Sequence, residues 1–218
     1  MILRLEEIYS RLLGRYGCLG WWPADSPFEV CVGAILTQNT NWINVEKAIA
    51  NLRQADCLSL DGILRIAEGQ LAVLIRPAGY FNVKARRLKD FVSFIENDCA
   101  GSLDAAFSGE LEVVRSRLLK VKGIGPETAD SMMLYAGQRP SFVVDAYTRR
   151  IFSRLGLVPE NIGYDDLRNL FMSSLESDAG IFNQYHALIV EHAKRHCKAK
   201  PLCDKCCLGN VCCFGLKL

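Results

Sequence analysis

Leu118-Leu119-Lys120-Val121-Lys122-Gly123-Ile124-Gly125-Pro126-Glu127-Thr128-Ala129-Asp130 separates two apolar runs with helical spacing. The segment Val121 to Gly125 predicts a tight turn between two short helices. Gly123 and Gly125 supply the positive φ and the close backbone approach that such a turn demands. Pro126 suits the first position of the second helix, where its missing N–H costs nothing. Such a turn aims unpaired backbone amides outward at a helix N-terminus, which makes an anion site. Lys120 and Lys122 add positive charge, and the expected occupant is a nucleic-acid phosphate held with the help of Gly123, Gly125 and Thr128.

Outward from this hairpin, nearly every segment reads as helix. Residues 3–15 predict an amphipathic helix ended near Gly17. Residues 18–25 form a loop containing Trp21, Trp22 and Pro23. Ser26-Pro27 opens a buried helix through Leu36, and Trp42 to Arg53 follows the polar tip Thr37-Gln38-Asn39-Thr40. Ser59 caps a short helix, Gly69 to Arg76 gives another, and Val83 to Asn97 a longer one. Leu103–Val114 and Arg115–Lys120 lead into the hairpin, whose second helix runs to Gly137. Further helices are expected at 146–155, 164–175 and 179–195, before a cysteine-rich tail. Strand-like alternation is scarce, so the fold class is all-α.

Half of the 218 residues are apolar, enough for a real core. The net charge is only +2, so any nucleic acid must be held by a local patch. No stretch is apolar enough to span a membrane. The charged N-terminal segment, with Arg4, Glu6, Glu7 and Arg11, does not read as a secretory signal. Ten cysteines in such a chain indicate reduced thiols and a metal or cluster in a cytoplasmic setting.

The hairpin, followed by the apolar pair Val143-Val144 and Asp145 at the start of another helix, resembles the endonuclease III superfamily of DNA glycosylases. The resemblance covers about Ser26 to Cys212. It implies two helical lobes with a DNA-binding cleft between them. One is a six-helix barrel over 20–139 with its helix-hairpin-helix at 118–137. The other is built from 1–19 plus 140–218 and carries a [4Fe–4S] loop at 197–212. It assigns Asp145 as the catalytic carboxylate. Members that also cut the strand carry a lysine two residues after the last hairpin glycine; here that position is Glu127. A carboxylate cannot form a Schiff base, so the expectation is a monofunctional glycosylase with water as nucleophile.

Trp21-Trp22-Pro23, then Asp25-Ser26-Pro27-Phe28-Glu29, then Leu36 to Trp42, look like the branch called 3-methyladenine DNA glycosylase III. That likeness implies a pocket of Trp21, Trp22, Pro23 and Trp42 around a flipped alkylated purine, whose positive charge aromatic faces attract. Gln38 matches the family's residue that fills the gap left by the flipped base. Gly79-Tyr80-Phe81 and Lys84-Ala85 match a family segment near the DNA backbone, which makes Lys84 an expected phosphate contact. The implied partner is double-stranded DNA with one damaged base, bound by a monomer.

In the tail, Cys197, Cys203, Cys206 and Cys212 have the spacing C-x5-C-x2-C-x5-C. Four thiolates this compact suit a [4Fe–4S] cluster, with four-cysteine zinc as the alternative. The superfamily's first gap is one residue longer, which leaves His196, Cys207 and Cys213 as substitutes. Other readings of the chain are an endonuclease III-type glycosylase and lyase for oxidised pyrimidines, a mispaired-adenine glycosylase, and a non-catalytic DNA-binding module. Ala34 stands where the mispaired-adenine branch has its glutamate.

Overall fold

The computed structural model describes residues 2–217, and side chains from residue 4 to residue 216. Every element among them is a helix or a helical turn; there is no strand. Among the described residues, no helix is long and apolar enough to cross a membrane. The chain forms two compact units: residues 24–139, and residues 1–23 together with 140–218. Trp21, Trp22 and Pro23 therefore belong to the unit made from the two ends of the chain, four residues past the expected boundary.

That unit contains α1 (Ile2–Tyr16), α10 (Ala146–Arg154), α11 (Tyr164–Ser174) and α12 (Ala179–Arg195), followed by three short 3₁₀ turns in the tail. The helix α12 packs against α1 and α10. Its core is aromatic: Phe142 stacks on Phe171 at 3.8 Å, and Phe152 meets Phe171 edge-on at 4.8 Å. Buried Tyr185 donates its hydroxyl to the Leu5 carbonyl at 2.8 Å.

The other unit is built around α2 (Pro27–Leu36), buried from Glu29 onward. Ser26 caps it by accepting from the Glu29 N–H, and Pro27 occupies its first turn. Around α2 lie α3 (Trp42–Gln54), α6 (Phe81–Asp98) and α9 (Pro126–Ser131), which opens into a π turn over Met132–Ala136. The helices α4 (Leu60–Arg65) and α5 (Glu68–Leu74) lean on α6. One sequence expectation fails here: the break in 103–120 falls at 108–110, not between Val114 and Arg115. The segment splits into α7 (Leu103–Phe107) and α8 (Leu111–Leu119), because Gly109 turns the chain at φ +103°.

Candidate active site and DNA-facing elements

The hairpin joins α8 to α9. Val121 N–H donates to Leu118 O and Ile124 N–H to Val121 O, closing two successive tight turns. Gly123 sits at φ +88°, and a Cβ there would run into the Arg87 side chain, so the position requires glycine twice over. Gly125 departs from expectation. Its φ is −92°, open to any residue, and a Cβ there would meet nothing within 4 Å. Lys120, Lys122 and Gly125 are exposed, whereas Thr128 is buried. Lys120 and Lys122 line an open groove shared with Asp90 and Asp98, so the local field is mixed in sign.

Gln38 is tied to this turn. Its Nε2 donates to the Gly123 carbonyl at 3.0 Å and to the Thr128 hydroxyl at 2.9 Å, while its Oε1 accepts from Arg87. A guanidinium only donates and a carbonyl only accepts, so the amide orientation is fixed. Lys84 is a correction. It is 1% exposed, and its ammonium donates to the Leu36 and Ala78 carbonyls, both at 2.8 Å. It cross-ties the end of α2 to the turn before α6 and offers nothing to a phosphate. Burial, then the neighbouring Arg87, pulls its pKa down to about 8. Trp42, also in this unit, is half-buried and donates its indole N–H to Glu46 at 2.9 Å.

In the other unit, Asp145 ends a wholly buried strap, Ser141 to Val144. Two residues of α11 fix that strap. Arg168, 3% exposed, donates to the Ser141 hydroxyl at 2.9 and 3.2 Å, and the Tyr164 hydroxyl lies 3.4 Å from the Val144 N–H. Asp145 then caps α10. Its Oδ1 accepts from the Thr148 N–H at 2.7 Å and the Thr148 hydroxyl at 2.9 Å. Its Oδ2 lies 3.6 Å from Nε2 of His186 on α12, with the side chains 14% and 7% exposed respectively. Burial alone would raise the Asp145 pKa. The imidazole and the two Thr148 donors outweigh it and hold the carboxyl below its ordinary value. Asp145 is thus an ionised carboxylate at neutral pH.

Trp21 belongs to the same neighbourhood. Its carbonyl accepts from Asn183 at 3.0 Å, its ring meets that of His186 in an edge contact at 6.4 Å, and the Lys194 ammonium lies 5.5 Å over its face. Trp22 is half-buried and Pro23 exposed. His186, Arg168 and Asn183 escaped the sequence reading. Each is one polar residue among several on its helix, and only its distant partner marks it.

In the tail, Cys197, Cys203, Cys206 and Cys212 line one small cavity with His192 and His196; Cys207 and Cys213 do not. Donors approach two of the sulfurs. Arg154 lies 3.3 Å from Cys197 Sγ, and His192 Nε2 lies 3.5 Å from Cys206 Sγ. Tyr16 Oη lies 2.9 Å from the other His192 ring nitrogen. Four thiols around one cavity, with cationic and N–H donors beside their sulfurs, suit a group held by thiolates. Burial raises the Cys206 thiol to about 11, so its deprotonation requires a compensating cation. As the side chains stand, no three His, Cys, Asp or Glu residues among those described form a site for a single metal ion.

The family model described as the HhH-GPD superfamily base excision DNA repair protein matches residues 32–177. A provisionally named DNA repair glycosylase of Methanocaldococcus jannaschii is 49% identical over 209 residues, 95% of each chain. Endonuclease III of Sulfolobus acidocaldarius is 30% identical over 87% of this chain and 82% of its own length. Among solved structures, an endonuclease III trapped as a covalent intermediate with DNA has a TM-score of 0.86 at 20% identity, covering 100% and 98% of the two chains. The H. pylori 3-methyladenine DNA glycosylase bound to 1,N6-ethenoadenine has a TM-score of 0.72 at 30% identity, covering 89% and 95%. The chain belongs to the HhH-GPD superfamily of base excision DNA repair proteins, and within it to the DNA glycosylases.

Proposed function

We propose that this glycosylase is monofunctional and removes an alkylated purine, of the 3-methyladenine kind, from duplex DNA. One observation carries the reading: Asp145 presents an ionised carboxylate whose Oδ1 is spent on Thr148 and whose Oδ2 is not. Breakage of the C1′–N bond leaves its electron pair on the base and positive charge on the sugar. A fixed carboxylate stabilises that charge. Because its pKa is lowered, Asp145 is a weak base, and its larger contribution is electrostatic. The alkylated base, cationic while attached, leaves neutral with that electron pair; water then bonds to C1′ and gives up one proton to solvent. Glu127, in the first turn of α9, offers no amine for a covalent sugar intermediate.

In this reading Trp21, Trp22, Pro23 and Trp42 receive the extruded base, Gln38 fills its place, and Lys120, Lys122, Gly123, Gly125 and Thr128 hold phosphate. Gln38 must first exchange its bonds to Gly123 and Thr128 for bonds to DNA. The enzyme acts as a monomer. Cys197, Cys203, Cys206 and Cys212 would hold a [4Fe–4S] cluster, which when bound cross-links the tail and steadies Lys198 and Lys200 within it and Lys194 and Arg195 at the end of α12.

The similarity to the S. acidocaldarius endonuclease III supports a second reading, a glycosylase and lyase for oxidised pyrimidines. One assay separates them. End-labelled duplex containing a single methylated adenine is incubated with the protein, and half is treated with alkali. Breaks only after alkali are expected. Breaks without alkali would reveal an amine nucleophile and overturn the monofunctional assignment. Uncut methylated duplex beside cut oxidised-pyrimidine duplex would establish the second reading.

A further inference from the structure

We infer that His186 is a positioning residue for Asp145: its imidazole fixes Oδ2, the carboxylate oxygen that Thr148 leaves open, in the ionised form. The inference rests on the reading of Asp145 as the catalytic carboxylate. A carboxylate this enclosed is costly unless each oxygen has a partner. Both Thr148 donors go to Oδ1. Oδ2 has the His186 ring nitrogen at 3.6 Å, too long for a direct hydrogen bond but within charge contact. With hydrogen on Nε2, the imidazole points a donor at Oδ2; protonated, it adds a positive charge.

The placement of His186 is not incidental. One turn earlier on α12, Asn183 holds the Trp21 carbonyl. Next to it, Gln184 holds the same loop twice, donating to the Gly17 carbonyl and accepting from the Leu19 N–H. The Trp21 ring in turn makes an edge contact with the His186 ring. A single helix thus sets both the tryptophan wall and the carboxylate beside it, and His186 is the residue they share. Other charged or titratable groups of this neighbourhood are directed elsewhere. Arg150 of α10 donates to the Cys197 carbonyl, Lys194 lies over Trp21, and Tyr164 of α11 approaches the Val144 N–H. Arg149, also on α10, is a further charged group of that helix.

The sign of the effect follows. Asp145 works as its anion, so activity falls as pH drops through its pKa. Removing the imidazole leaves burial less opposed and moves that loss to higher pH. The test is the pH dependence of single-turnover base excision for wild type, His186→Phe, His186→Gln and Asp145→Asn. Phenylalanine keeps the ring and removes the donor; glutamine keeps a donor. The acid limb of His186→Phe is expected to rise by about one pH unit, with a plateau roughly tenfold lower, and His186→Gln to recover most of the shift. Affinity for duplex carrying an uncleavable abasic-site analogue should stay within about twofold.

A merely structural histidine would lower the melting temperature and the yield of active enzyme without moving the acid limb; that result overturns the inference. If His186→Phe does not fold, His186→Met, which also removes the donor, takes its place: a raised acid limb sustains the inference and an unmoved one overturns it. Asp145→Asn separates the two levels of argument. Full activity in that variant discards the Asp145 reading. An inert Asp145→Asn beside an unshifted His186→Phe discards only the role of His186.

Discussion

Two aspartates, one in each unit, show how differently a protein can enclose a carboxylate. Asp130 of α9 is wholly buried and faces the Arg115 guanidinium of α8, with contacts of 3.0, 3.2 and 3.3 Å that reach both of its oxygens. Asp145 is 14% exposed, with one oxygen doubly bonded to Thr148 and the other held loosely at 3.6 Å by an imidazole. The first geometry is closed: charge, shape and hydrogen bonds all match, and nothing is left to act on a substrate. The second keeps half of its bonding capacity in reserve. Burial does not separate structure from chemistry; the unspent oxygen does.

The comparison can be broken most forcefully by making the same change at both sites. Asp145→Asn should cost about 10²- to 10⁴-fold in excision rate. Its melting temperature should hardly move, because asparagine caps a helix as well as aspartate does. Asp130→Asn should do the reverse. It removes a buried charge partner from the Arg115 guanidinium and should cost about 3–5 kcal/mol of stability by urea titration, while the folded fraction keeps its turnover. If the two variants showed the same profile, the distinction would fall. A smaller effect sharpens the same contrast among lysines. Lys120→Ala with Lys122→Ala should flatten the dependence of log affinity on log salt by about 2. Lys84→Met should lower stability and leave that slope alone, since its ammonium faces two carbonyls rather than solvent.

What could be read from the sequence was local. Ser26, Ser59 and Asp145 each accept from an N–H three residues on, a bond that sequence spacing encodes directly. The hairpin was legible because Gly123 and Pro126 answer backbone demands inside the turn. What escaped notice depends on partners distant in the chain. Lys84 reads as one of a run of surface cations, and nothing near it reveals that the Leu36 and Ala78 carbonyls converge on its ammonium. His186 reads as one of several polar residues along α12 until Asp145 is brought to it. Gly125 failed in another way: its type suggested strained backbone, yet its φ is ordinary, and what it contributes is open space.

The pairing of α1 with α12 governs the order in which the molecule can be built. The Tyr185 hydroxyl reaches the Leu5 carbonyl across 180 positions of sequence. On the ribosome α1 emerges first and then waits for its partner, while residues 24–139 have all of their own contacts available much earlier. Contacts of such separation form late because the loop between them must close first. The unit holding Asp145, Trp21 and the cysteines is therefore the last to assemble. Until α11 and α12 arrive, the amphipathic first helix lacks the helices of its own unit that cover it, and a chain not yet grown to Asp145 carries the hairpin without the carboxylate.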